Sequence, residues 1–321
     1  MHPRELIDQL RANGMDPTWW RHVAGPFALR VGVLQPYYRY LSPIKSDDFI
    51  DGSWDNLVIL DGCRYDTFRS TYRGPGTLTS RISPGSNTPE FLQETFGNRT
   101  LDDAVYVTGN PQVQLHAADR FHAVEHVWQD EWDDELETVP PDAMVAATLA
   151  AYETYPDKRL ISHFVQPHYP FIGEYGRRHL HDQVGLSLSR ELAADADRPT
   201  EHDHIWLRLR RGEVDESTVR AAYQENLEVA LAHVETLLER FAEPTVITSD
   251  HGNCFGRRVG PLGMRIWGHP PGVHVPELVR VPWLHIPGTR RKQVRSEATR
   301  ELATGDTHVA EERLKQLGYV T

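Results

Sequence analysis

The sequence predicts an α/β protein with a doubly wound, mostly parallel sheet flanked by helices. Short apolar runs alternate with helical patterns along the whole chain. Two stretches stand out, the continuous apolar run Leu57-Val-Ile-Leu60 and the β-branched Thr245-Val-Ile-Thr248, as in strands covered on both faces. Each stops at an acid with a glycine close behind, Asp61-Gly62 and Asp250-His251-Gly252. That is the strand edge where open α/β sheets place their ligands.

Composition narrows the functional classes. The chain has 321 residues, enough for a large core, and a formal net charge of -12. Such a balance argues against a nucleic-acid binder held by a broad basic surface. No apolar run approaches the roughly 20 residues of a membrane span. The opening Met1-His-Pro-Arg-Glu-Leu-Ile-Asp-Gln-Leu10 is charged and amphipathic, unlike a signal peptide. Cys63 and Cys254 are the only cysteines, too few for a disulfide framework. The expectation is a cytoplasmic protein.

Residues 1–50 read as an appendage to a main domain spanning 51–321. Arg4 to Asn13 is a short helix, followed by an aromatic-rich stretch from Trp19 to Tyr40, broken by Pro26 and Pro36. That stretch packs on the main domain or meets a partner or membrane surface. The Leu57–Leu60 strand delivers Asp61, and if the Thr245 strand lies beside it, Asp61, Asp250 and His251 converge. Glu90 to Phe96 is a helix start, with Thr88 as N-cap and Pro89 at the first helical position. Ser86 or Thr88 then presents a hydroxyl at a helix N-terminus, which favours an anionic substrate. Ala104 to Asn110 is a further strand and turn, and Trp128 to Glu137 a surface loop. Asp142 to Thr154 is helical, and Arg159 onward is a strand leading to His168 between two prolines. Residues 173–215 form a lid or excursion. Ser217 to Phe241 is one long helix whose buried face is Tyr223, Leu227, Leu231, Val234 and Leu238. His269 and His274 stand before the apolar run Val281–Ile286, and a last helix covers Val309 to Leu317.

Asp61-Gly62, a hydroxyl some way on, Pro167-His168-Tyr169-Pro170, Ser249-Asp250-His251-Gly252 and Gly268-His269 arrive in an order that resembles the alkaline phosphatase superfamily, its sulfatase-like branch most closely. The resemblance covers about residues 54–320, including the tail Glu312 to Tyr319. It implies an alkaline phosphatase-like fold. It also implies that Asp61, Asp250 and His251, with His269, hold a divalent metal (Mn, Mg, Ca or Zn), one ion rather than two. Ser86 or Thr88 stands where the family has its nucleophile. His168, His274, Arg64 and Arg257 are candidates to bind substrate, with Arg81 and Arg258 also in reach of its oxygens. The implied reaction is hydrolysis or transfer at a phosphate mono- or diester, on a free ester or on a glycan or lipid head group. A sulfate ester, or anion binding without turnover, is the alternative. The sulfatase pattern of Cys or Ser followed by x-Pro-x-Arg is absent, since Ser86 is followed by Asn-Thr-Pro-Glu. Cys63 and Cys254 read as small buried residues or, if close together, as a redox-sensitive pair.

Overall fold

The computed structural model describes residues 11, 14–180, 183, 185–194 and 204–296. The helices expected over Arg4–Asn13 and Val309–Leu317 fall largely or wholly outside these residues, as does the Glu312–Tyr319 tail.

A seven-stranded sheet forms the centre, in the order β2-β9-β6-β1-β5-β3-β4. Its strands are β1 (Asn56–Leu60), β2 (Thr77–Ile82), β3 (Leu101–Thr108), β4 (Phe121–His126), β5 (Arg159–Phe164), β6 (Thr245–Thr248) and β9 (Arg280–Ile286). β1 pairs in parallel with β5 and β6, and β3 in parallel with β4 and β5. β9 runs antiparallel to both of its neighbours, β2 and β6. A separate hairpin joins β7 (Cys254–Val259) to β8 (Met264–Gly268). β2 and β4 are edge strands that the sequence pattern did not reveal. Their residues are mostly half-exposed, so neither carries the dense apolar run of a central strand.

Strand alternation divides the core into two layers. Val58, Leu60, Val105, Phe164 and Ile247 point to one face. There they meet two helices, α3 (Pro141–Thr154) and α5 (Glu216–Arg240). Leu57, Ile59, Tyr106, Ile161 and Val246 point to the other face, against α2 (Thr88–Phe96), the helix that follows α1 (Tyr65–Thr71). Helices thus cover both faces, as a doubly wound sheet requires. α5 buries Tyr223, Leu227, Leu231 and Val234 as expected, but Leu237 rather than Leu238 completes the stripe. Trp128 is also buried in the core, not set in a surface loop, and the chain around it forms a short helix, Val127–Asp130.

The N-terminal stretch is not broken at its prolines. Pro17 to Leu41 is one helical run with alternating α and wide π-type turns. Just before each proline an amide reaches five residues back: Gly25 N–H to Trp20 O and Gln35 N–H to Arg30 O. Widening the turn relieves the clash between the proline ring and the carbonyl four residues earlier. Leu34 and Tyr38 of this run are buried against the β7–β8 hairpin. The 173–215 excursion carries short helices, among them α4 (Ile205–Arg211), which buries Trp206 against Phe255.

Candidate metal centre

The site lies where the strand ends converge. β1 and β6 are neighbours, so Asp61 and Asp250 leave the sheet side by side. The two ends are tied together: Gly62 N–H donates to Asp250 Oδ1 (2.9 Å) and Cys63 N–H to Ser249 Oγ (2.8 Å). Gly62 has φ +66°, and a Cβ there would meet the Asn253 amide at 2.7 Å, so only glycine fits this turn. Among the described residues, Asp61, Asp250 and His251 form a buried group whose ligand atoms lie within 4.8 Å of one another. His251 Nε2 is 3.6 Å from Asp61 Oδ1 and 3.5 Å from Asp250 Oδ2.

Thr88 completes the cluster. Its hydroxyl donates to Asp250 Oδ2 (2.8 Å) and lies 3.3 Å from His251 Nε2 and 3.4 Å from Asp61 Oδ2. It is free to do so because it is not the N-cap of α2. Asn87 takes that role, its side chain accepting the Glu90 N–H at 3.0 Å. Thr88 is instead the first helical residue, and its hydroxyl turns to the strand ends. Ser86 is also buried but faces elsewhere, 2.8 Å from Glu90 Oε2 and 3.0 Å from Pro270 O.

The donor set fits a divalent ion. Two carboxylates, an imidazole and a hydroxyl are hard or borderline ligands, and their mutual spacings of about 3–4 Å suit metal–ligand bonds of about 2 Å. Asp61 Oδ1 is buried with no hydrogen-bond partner, an orphan that a cation would satisfy. Burial and the charge of Asp250 push the Asp61 carboxyl well up. For Asp250, burial works upward, but His251, His163 and the Gly62 N–H outweigh it and hold the carboxyl below its usual value.

Three imidazoles share one orientation. His251 Nδ1–H donates to Gly252 O (2.8 Å), His168 Nδ1–H to Tyr169 O (2.7 Å) and His269 Nδ1–H to Asn253 Oδ1 (2.8 Å). Each therefore presents a bare Nε2 when neutral, the arrangement by which a protein fixes imidazoles toward a metal or a proton. Burial, and then the neighbouring His251, push His168 down to about 4 and His269 well below its ordinary value, so both are neutral at pH 7. The His269 ring lies 4.6 Å from that of His251 and 5.0 Å from that of His168, centroid to centroid. It stands beside the metal group rather than within it.

Other expected residues are placed apart. His274 sits 3.7 Å from Glu90 Oε2, beside Ser86 and not at the carboxylates. Arg64 is turned to Asp66 and to Asn253 O (2.6 Å). Arg257 is exposed on β7 and paired with Glu277. Arg258, also on β7, bonds Gly263 O, and Arg81 bonds Asp48 O and stacks on Trp283. Cys63 and Cys254 belong to different core clusters and are unpaired; burial pushes the Cys63 thiol well up and the Cys254 thiol to about 12.

Sequence reasoning missed Asn110 and His163. Asn110 follows β3 and donates through Nδ2 to Asp61 Oδ2. Its signal was present, since it too follows a strand end. His163 lies inside β5, fully buried. Its Nδ1 is 2.8 Å from the Tyr106 hydroxyl, and its Nε2 stands 3.9 Å from Asp61 Oδ2 and 3.9 Å from Asp250 Oδ2. When the Tyr106 hydroxyl donates to Nδ1, the neutral ring carries its proton on Nε2, and that N–H faces both carboxylates. The signal was its register: β5 alternation puts His163 on the same face as Ile59 and Thr248.

A cleft of about 680 Å³ opens over this group. Asp61, Thr88, Asn110, His168 and His269 line its floor, and its walls come from the N-terminal helical run, α4 and β8.

No family model matches the chain, and no curated protein matches it. Solved structures similar to it include the soluble domain of lipooligosaccharide phosphoethanolamine transferase A from Neisseria meningitidis, at 13% identity over 74% of this chain and 79% of that one, TM-score 0.45. The integral membrane protein of the same name and organism is 12% identical over 88% of this chain, TM-score 0.46, and the match spans 58% of its length. The lipoteichoic acid synthase LtaP from Listeria monocytogenes is 10% identical over 81% of this chain and 73% of that one, TM-score 0.43. The seven-stranded, mostly parallel sheet with helices on both faces is the doubly wound α/β architecture expected from the sequence.

Proposed function

We propose that the chain is a metal-dependent transferase or hydrolase of phosphate mono- or diesters, with Thr88 as the nucleophile. The observation that supports it most is the Thr88 hydroxyl, buried at the first turn of α2 and within 2.8–3.4 Å of Asp250, His251 and Asp61. Asp61, Asp250, His251 and Thr88 would hold a divalent ion, which when bound supplies Lewis acidity toward a phosphoryl oxygen and lowers the hydroxyl pKa. Asp250 Oδ2 is placed to take the Thr88 proton as Oγ forms its bond to phosphorus and the ester oxygen leaves. The first amides of α2 add positive potential toward the phosphoryl oxygens. Asn110 fixes Asp61 through one oxygen and keeps the other turned toward His251. The bare Nε2 atoms of His168 and His269 are placed at the floor to accept a proton from the water or hydroxyl that cleaves the phosphothreonine ester. A threonine nucleophile, without the x-Pro-x-Arg sequence, favours phosphate over sulfate esters.

The test is intact mass after acid quench of the metal-loaded protein with 4-nitrophenyl phosphate and its bis-ester. A phosphoryl or phosphodiester adduct on wild type, absent from Thr88→Ala and present on Ser86→Ala, supports the assignment. An adduct that survives in Thr88→Ala overturns it, and turnover without any adduct removes the covalent step. Metal binding without turnover of any phosphate or sulfate ester would leave a binding protein.

A further inference from the structure

We infer that the mouth of the cleft docks on an anionic lipid surface. The net charge of -12 hides a segregation. Segments 17–46, 204–212 and 251–276 together contain ten of the 34 Lys and Arg and none of the 46 Asp and Glu. Distant in sequence, they pack into one collar. Arg210 Nη2 donates to Arg21 O (3.4 Å), Gln35 Nε2 to Pro271 O (2.9 Å) and Gly260 N–H to the Tyr38 hydroxyl (3.1 Å). The Leu34 side chain sits in one apolar cluster with Cys254, Val259 and Ile266. All three segments line the cleft, through Phe27, Arg30, Trp206, Arg210, Arg265 and Trp267.

Charge alone would suit any polyanion, but the collar also exposes apolar side chains that gain nothing from one. Leu41 is 77% exposed, Tyr40 70%, Leu262 64% and Trp20 46%. Leu262 is at the tip of the β7–β8 turn, two residues from Gly260, whose amide meets Tyr38. Arg21, Arg39, Arg258 and Arg265 are exposed and have no carboxylate within 4 Å among the described residues. Exposed Trp, Tyr and Leu interleaved with unpaired arginine is the chemistry of a surface that sits at the headgroup level: the cations meet lipid phosphates and the apolar groups enter the acyl boundary. The acid-rich remainder of the chain is repelled from the same surface, which orients the protein with its mouth toward the lipid. No helix among the described residues is long and apolar enough to cross a membrane, and the contact inferred is one made by the side chains of the collar itself. The inference rests on the proposed function only for what the mouth would take up, an ester presented by a lipid head group.

The experiment is vesicle flotation of the full chain. Vesicles of phosphatidylcholine with about one third phosphatidylglycerol are compared with phosphatidylcholine alone, at low and high salt. We expect binding to the anionic vesicles only. The triple variant R21E/R39E/R258E and the variant W20S/L41S should each lower the bound fraction about tenfold or more. All of these side chains are at the surface, and circular dichroism checks that the variants fold. Absence of binding at low salt, equal binding to neutral vesicles, or variants that bind like wild type would overturn the inference. Retention on immobilised duplex DNA that W20S/L41S does not weaken, with no vesicle binding, would assign the collar to nucleic acid instead. Asp250→Asn should bind vesicles like wild type. Vesicle binding and the chemistry of the site are thereby read separately, and either can fail alone.

Discussion

The floor of the cleft and its collar are built from opposite charges by opposite means. The floor places two carboxylates, Asp61 and Asp250, in full burial at the ends of adjacent strands, where neighbouring imidazoles, amides and hydroxyls face them but, among the described residues, no lysine or arginine pairs with them. The collar leaves its arginines at the surface and excludes acids from three packed segments. A buried carboxylate pair is costly without a cation, so the floor suits a small divalent ion. Exposed arginine is cheap and screened, so the collar discriminates by surface charge and by what its apolar groups can enter. The overall charge averages these regions and describes neither.

The largest effects belong to the floor. Asp250→Asn should remove the metal, lowering affinity at least about a hundredfold and turnover by about three orders of magnitude, read by elemental analysis and ester hydrolysis. Full activity in this variant would move the site elsewhere. Thr88→Ala should cost turnover on the order of a thousandfold, with Thr88→Ser restoring part of it, while Ser86→Ala stays within a few fold. Equal losses at both positions would mean that the helix start matters and the particular hydroxyl does not.

The same contrast explains what the sequence disclosed. The floor was legible because its residues terminate buried strands, and such strands announce themselves by continuous apolar runs. Asp61, Asp250 and His251 were read from the strand ends and Thr88 from the helix start, and the structure brings these four side chains together. That Thr88 and not Ser86 faces the two aspartates was hidden, because it depends on Asn87 taking the Glu90 N–H. A capping signature specifies that some Ser, Thr, Asn or Asp caps the helix, not which of three adjacent ones. His163 was hidden inside β5, since a buried polar residue in a central strand is read only once register is known. The partners of the arginines were not legible, because arginine reaches in many directions: Arg64 turns to Asp66, Arg257 to Glu277. The collar was visible only in part. Its aromatic stretch stood out, but its charge segregation needs three distant segments brought together.

Effects of intermediate size come from the groups behind the metal ligands. Tyr106→Phe removes the hydroxyl that orients His163, and metal affinity should fall about tenfold with the fold intact. An unchanged affinity would make His163 a packing residue. Acidity gives a second handle. Asp61 is raised by burial and by Asp250, so protons compete with the metal, and affinity should fall by up to about tenfold per pH unit as pH drops through that raised value. Calorimetry in buffers of different ionisation enthalpy should detect proton release on binding. In the metal-free protein the sign reverses for stability. A carboxyl raised on folding holds its proton more tightly in the folded chain, so its contribution is present at low pH and is lost as pH rises through the folded value. Asp61→Asn should therefore raise the melting temperature of the metal-free protein at neutral pH while abolishing the gain that metal gives the wild type.

The smallest effect separates support of the fold from support of the site. Asn87→Ala removes one cap from α2, which costs about 1 kcal/mol of stability. If Asn87 only caps, turnover at saturating metal should track the folded fraction and stay near wild type. The geometry asks for more. With the cap gone the Glu90 N–H loses its acceptor, and each turn of the Thr88 hydroxyl back toward that amide would take it from Asp250. Asn87→Ala should therefore lower turnover several fold beyond its loss of stability, and Asn87→Asp, which restores an oxygen acceptor, should recover it. A variant that loses stability but no turnover would show that the Asp250–Thr88 hydrogen bond alone holds the nucleophile in place.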